Sequence, residues 1–135
     1  MFERCLYFNV NALARKVNRV WDQAFADLGL SPSHAYLLRL VLSKPGISQK
    51  EIAGELRLEK STVTRFIDAL EDRGYLKRNK VGREQIVSAT STAVKMEKEL
   101  NRRGDALYLR MIHDIGKTAL VGLVGQLRET SKKLR

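Results

Sequence analysis

Between residues 60 and 83 the chain gathers side chains suited to gripping phosphates and reading hydrogen-bonding edges. Lys60-Ser61-Thr62 and Thr64-Arg65 place one ammonium, three short hydroxyls and one guanidinium within six residues. A hydroxyl donates or accepts as the partner requires, and a guanidinium offers a rigid fork of donors. Lys77, Arg78, Lys80 and Arg83 follow shortly after. From Arg57 to Arg83 there are eight basic residues against four acidic ones, Glu59, Asp68, Glu71 and Asp72. The local excess belongs to a chain of 135 residues with a formal charge of +10. Such a balance favours phosphate backbones or anionic lipid, although a basic solvated surface is also common. The order of the residues decides between them.

Other chemistry finds little support. No hydrolytic triad, phosphate-cradling glycine loop or metalloprotease motif is present, so no enzyme and no cofactor are expected. His34 and His113 are the only histidines, too few for a metal site. The lone Cys5 excludes an intramolecular disulfide and suits a reducing cytoplasm. No secretion signal and no run of membrane-spanning length are visible, which also points to the cytoplasm. An apolar content of 44% marks a globular chain, of a length usual for one domain.

The elements around the basic cluster read as follows. Glu3 to Leu28 lacks Gly and Pro, and Leu6, Val10, Leu13, Val17, Trp21, Ala24 and Leu28 recur at helical spacing. This predicts one helix of about six or seven turns, stopped by Gly29. Such length suggests that part of its apolar stripe packs on a second chain. Ser31 and Pro32 suit the N-cap and first position of a second helix, with Tyr36, Leu37, Leu40 and Val41 facing inward. Ser48-Gln49-Lys50-Glu51 is a capping box opening a short helix, and Arg57-Leu58-Glu59 is a turn. The next helix runs from about Lys60 to Arg73, with Val63, Phe66, Ile67 and Leu70 on one side and Ser61, Arg65, Asp68 and Asp72 on the other. Its first half offers hydroxyls and an arginine; its second half offers acids, which repel phosphate. An Arg65–Asp68 pair on a plain solvated face is the competing interpretation. After Gly74, Tyr75–Asn79 and Gln85–Thr90 read as strands around a Lys80–Arg83 tip, and Ile86 and Val87 compete for the inward position. From Thr90 or Ser91 the chain is helical again, along Met96, Leu100, Leu107 and Met111. It breaks near Asp114-Ile115-Gly116, and Lys132, Lys133 and Arg135 crowd the end of the last helix.

The fold class is therefore mainly α with a small β-hairpin wing: a winged helix-turn-helix over 30–90, flanked by helices at 1–29 and 91–135. ISQKEIAGEL followed by EKSTVTRFIDALEDRGYLKR, a hairpin and two helices resembles the MarR family of winged-helix transcriptional regulators. The resemblance implies a homodimer held by the flanking helices, with each copy presenting its winged helix to one half of a pseudo-palindromic DNA operator. It implies a repressor released by a small aromatic or anionic effector. The recognition contacts fall on Lys60, Ser61, Thr62, Thr64 and Arg65, phosphate contacts on Lys60, Lys77, Arg78 and Lys80, and the wing-tip arginine on Arg83. The acid that usually precedes that arginine is missing, and Glu84 follows it instead. Two other readings stay open. One is a redox regulator acting through Cys5, as in relatives that sense peroxide with an N-terminal cysteine, against an inert thiol with no second cysteine to resolve it. The other is a winged helix used for protein–protein assembly.

Overall fold

The computed structural model describes residues 1–134, so the Arg135 expected at the end of the last helix lies outside the described residues. Helix α1 spans Leu6–Phe25 and tightens into a 3-10 turn at Ala26–Leu28. The expected single α-helix from Glu3 to Leu28 is thus shorter at its start and tighter at its end. Gly29 closes it with φ +66, the left-handed conformation that glycine adopts without a Cβ penalty. Helix α2 (Pro32–Ser43) starts as expected, with the Ser31 hydroxyl accepting from the His34 N–H at 3.1 Å. Its inward face differs from the expectation. Ala35, Leu37, Leu38 and Val41 are buried, whereas Tyr36 and Leu40 are only half-buried.

Helix α3 (Gln49–Leu56) carries the full capping box: the Ser48 hydroxyl accepts from the Glu51 N–H, and the Glu51 carboxylate accepts from the Ser48 N–H. Arg57 ends it with φ +54, the one left-handed residue that is not glycine among those described. Helix α4 (Lys60–Asp72) buries Val63, Ile67 and Leu70 completely, while Phe66 stays half-buried with its ring edge-on to His34. The apolar faces of α2, α3 and α4 bury Leu38, Ile52 and Ile67, and α3 packs on both α2 and α4 in the core that positions the site.

The wing is an antiparallel hairpin of β1 (Leu76–Val81) and β2 (Glu84–Ala89), paired from Leu76 with Ala89 to Val81 with Glu84. Both strands reach further toward the tip than expected, which shrinks it to Gly82-Arg83, and neither includes the expected Tyr75 or Thr90. Gly82 sits at φ +62, as a two-residue hairpin turn with glycine first requires. Val87 is the buried residue and Ile86 the half-buried one. The Val87 N–H donates to the Ile47 carbonyl at 2.9 Å, and Ser48 bridges Ile86, which anchors the wing to the segment leading into α3.

Thr90 caps the short α5 (Ser91–Val94), a break follows at Lys95-Met96, and α6 (Glu97–Ile115) continues through Gly104 without interruption. Gly116, at φ +93, separates it from α7 (Lys117–Lys133). The chain forms two compact units, Met1–Asn101 and a second that begins at Arg102. No helix among the described residues is long and apolar enough to cross a membrane.

Candidate nucleic-acid interface

Folding of the short α3–turn–α4 unit determines which side chains of α4 are free. Gln49, at the first position of α3, donates from Nε2 to the Thr64 hydroxyl at 2.7 Å. That hydroxyl in turn lies 3.0 Å from the Lys60 carbonyl and donates to it. Thr64 is therefore occupied on both sides. The sequence pattern treated it as a free hydroxyl like Ser61 and gave no sign of Gln49, whose reach across to α4 depends on the interhelical angle. The Gln49 Oε1 is buried and has no partner.

Lys60, Ser61 and Arg65 are exposed, and Thr62 is half-buried. Arg65 Nη2 lies 3.4 Å from the Thr62 hydroxyl. The alternative Arg65–Asp68 pair is absent, because Asp68 pairs with Arg78. That guanidinium also meets Glu71 at 3.1 Å, and the Arg78 backbone N–H donates to the other Glu71 oxygen at 3.2 Å. The hydrogen bond to Glu71 raises the Arg78 pKa above its ordinary value, against the opposing effect of burial. Arg78 thus departs from the expected free phosphate contact. Its charge is taken up by the acids of the second half of α4, and it fastens β1 to that helix. Of the outward acids expected to limit approach to phosphate, Asp68 is partly neutralised by this contact, whereas Asp72 has no ion pair among the described residues.

Lys77, Lys80 and Arg83 remain exposed on the wing. Arg83 and Glu84 form no ion pair among the described residues, yet both line a cleft of about 250 Å³ with Gln49, Lys50 and Lys60. The cleft therefore brings together cations from α3, α4 and the wing. In the sequence Lys50 carries no local signal of this role, because it stands among capping-box residues. Residues at the starts of both α3 and α4 line this cleft, and a helix start carries unfilled N–H groups and positive partial charge. An anion of phosphate size suits such a surface, and the hydroxyls of Ser61 and Thr62 with the Arg65 fork suit base edges.

The other candidates stand apart from this face. Cys5 occupies the N-cap position of α1, half-buried, with its carbonyl accepting from the Asn9 amide at 2.8 Å. His34 lies at the start of α2. His113 lies near the end of α6, where its Nδ1 is 3.0 Å from Asp114. The hydrogen bond from His113 lowers the Asp114 pKa, and Arg110 adds to the effect. No group of three potential metal ligands occurs among the described residues.

Comparison with known proteins agrees with this architecture. The HTH-type transcriptional regulator YwoH of Bacillus subtilis (strain 168), itself uncharacterized, is 32% identical over 100 residues, 73% of each chain. The S. aureus MepR–DNA complex superposes with a TM-score of 0.84 at 14% identity, covering 98% of this chain and 100% of that one. CouR from Rhodococcus jostii RHA1, bound to p-coumaroyl-CoA, gives 0.75 at 23% identity over 98% of this chain and 92% of its own. At such identities the two structures speak for the fold. The sequence model of the MarR family matches residues 30–81, which hold α2 to β1. This chain belongs to the MarR family and is a DNA-binding transcriptional regulator with a winged helix-turn-helix.

Proposed function

We propose that the chain works in the cytoplasm as a homodimeric repressor that sets its two α4 helices into successive major grooves of a pseudo-palindromic operator. The observation that carries this reading is the division of α4. Its first half leaves Ser61 and Arg65 open beside the Lys50–Lys60–Arg83 cleft, while its second half is tied to the wing through Arg78. Ser61, Thr62 and Arg65 read base edges; Lys50, Lys60, Lys77 and Lys80 hold phosphates; Arg83 enters the adjacent minor groove. Thr64 acts by holding Gln49 and Lys60 in place, and Arg78 by holding the wing.

Dimerisation is supported by apolar faces left in water. On α1, Leu6, Val10, Leu13 and Val17 are all exposed, and on α7 so are Val121, Val124 and Leu127. Release by a small aromatic or anionic effector is supported by clefts of about 320 Å³ on either side of Tyr36. There the Trp21 Nε1 donates to the Tyr36 hydroxyl at 3.1 Å, and Arg39 lies 5.0 Å from the Tyr36 ring centre. CouR, of the same fold, was crystallised with p-coumaroyl-CoA.

Selection of bound duplexes from random DNA tests the reading. The wild-type protein should enrich inverted half-sites with centres about 34–36 Å apart. Arg65→Ala should relax the preference at one position of each half-site by about 1–3 kcal/mol and leave the dimer intact. An unchanged sequence preference in that variant refutes the recognition-helix assignment.

A further inference from the structure

At the end of α4 opposite its open hydroxyls, Arg73 reaches across to the end of α1. Its guanidinium donates to the Gly29 carbonyl through Nη1 and to the Leu28 carbonyl through Nη2 at 3.4 Å. These belong to the last acceptors of the 3-10 turn that closes α1, where a helix leaves carbonyls unfilled and carries negative partial charge. The guanidinium also lies 5.1 Å from the Tyr75 ring centre, with Nη2 3.5 Å from the Tyr75 hydroxyl. The approach is close from both sides, since a Cβ at Gly29 would come within 3.1 Å of Arg73 Nη2. Arg73 is itself the residue that ends α4, its N–H donating to the Ala69 carbonyl at 3.2 Å. One side chain therefore joins the end of the recognition helix, the start of the wing and the end of α1.

We propose that Arg73 is a positioning residue for operator recognition: its grip on the Leu28 and Gly29 carbonyls sets the direction of α4 relative to α1. The proposal rests on the homodimer reading above, in which α1 of each copy packs on the other. The leverage is large. Helix α4 has 13 residues and is about 20 Å long. A tilt of about 10° at its Arg73 end moves its reading end by about 3 Å, close to the 3.4 Å rise of one base step. A forked guanidinium reaches two carbonyls at once while stacking on Tyr75; a lysine ammonium on the same stem is a single point charge.

The test measures binding of wild type, Arg73→Ala and Arg73→Lys to a half-site selected from random DNA. It is presented singly and as inverted pairs with the wild-type spacing, one base pair shorter and one longer. Wild type should prefer its own spacing. Arg73→Ala should lose about tenfold or more of that preference while binding the single half-site within about twofold of wild type, and Arg73→Lys should fall between. If Arg73→Ala does not fold, Arg73→Lys against wild type decides, with partial loss of the spacing preference expected. A spacing profile unchanged in the variants, or an equal loss on every duplex including the single half-site, overturns the proposal and leaves the dimer reading standing. A wild-type protein without any spacing preference overturns both.

Discussion

Helices α1 and α4 are written in the same hydrophobic period and meet opposite fates. In α4, Val63, Ile67 and Leu70 are fully buried within their own chain. In α1, Leu6, Val10, Leu13 and Val17 are 57%, 44%, 42% and 38% exposed, and burial begins only at Phe25. Helix α4 packs on α3 and on β1 of its own chain, whereas the first three turns of α1 keep their apolar stripe exposed. An amphipathic stripe specifies a helix and a face to hide; it does not specify whether the cover comes from the same chain or another.

The largest expected effects test this difference directly. Ile67→Ala removes side-chain atoms from a sealed site and should cost about 2–5 kcal/mol of stability, independent of protein concentration. Leu13→Asp changes an exposed position of the free chain and should alter the stability of the monomer by less than about 0.5 kcal/mol. It should nevertheless raise the dissociation constant of the proposed dimer by about 100-fold or more, because each copy would place a carboxylate in the apolar contact proposed for α1. Denaturation at several concentrations and sedimentation check both. A Leu13→Asp protein that stays dimeric breaks the comparison.

The same distinction explains what was legible in the sequence. Caps and stops depend on neighbours a few residues away, so Ser31, the Ser48–Glu51 box and Gly29 were readable as they stand. The winged-helix order was readable because each element carries its own period. Contacts between elements were not. Gln49 and Thr64 are 15 residues apart, and Arg73 and Gly29 are 44 apart. Nothing in either local pattern marks them as partners. The inward face of α2 departs from its local pattern for a related reason. Tyr36 looks like a core residue by composition, yet its hydroxyl meets Trp21 and its ring meets Arg39 at the edge of a cleft, while the smaller Ala35 lies at the close approach inside.

Charges divide as the apolar residues do. Arg78 is satisfied inside the chain by Asp68 and Glu71, whereas Lys80, two residues on, is exposed and has no ion pair among the described residues. Binding to duplex DNA over a range of salt concentrations should sharpen this contrast. Lys80→Ala should lower the slope of log affinity against log salt by about 0.9 for each winged helix. Arg78→Ala should leave that slope in place and instead weaken the fold by about 1 kcal/mol, as expected for a partly exposed ion-pair network. A reduced slope for Arg78→Ala would show that its guanidinium leaves the two acids to meet a phosphate.

The smallest effect belongs to the place where the two regions meet. His34 stands at the start of α2, just past the end of α1, with its ring 4.8 Å from the Phe66 ring of α4. Burial, and then the nearby charge of Arg73, lower its pKa below the ordinary value near 6.5. As pH falls below that value the unfolded chain takes up the proton before the folded chain does. The contribution is thus complete above the unfolded pKa and is lost as pH falls from there through the folded one, after which it levels off. Thermal unfolding of wild type and His34→Gln between about pH 7.5 and pH 5 should show a larger decline for wild type, by no more than a few degrees in Tm. Parallel curves would mean that the imidazole accepts its proton as readily in the fold as outside it, and that the Arg73–Gly29 junction is open enough to tolerate a second cation beside it.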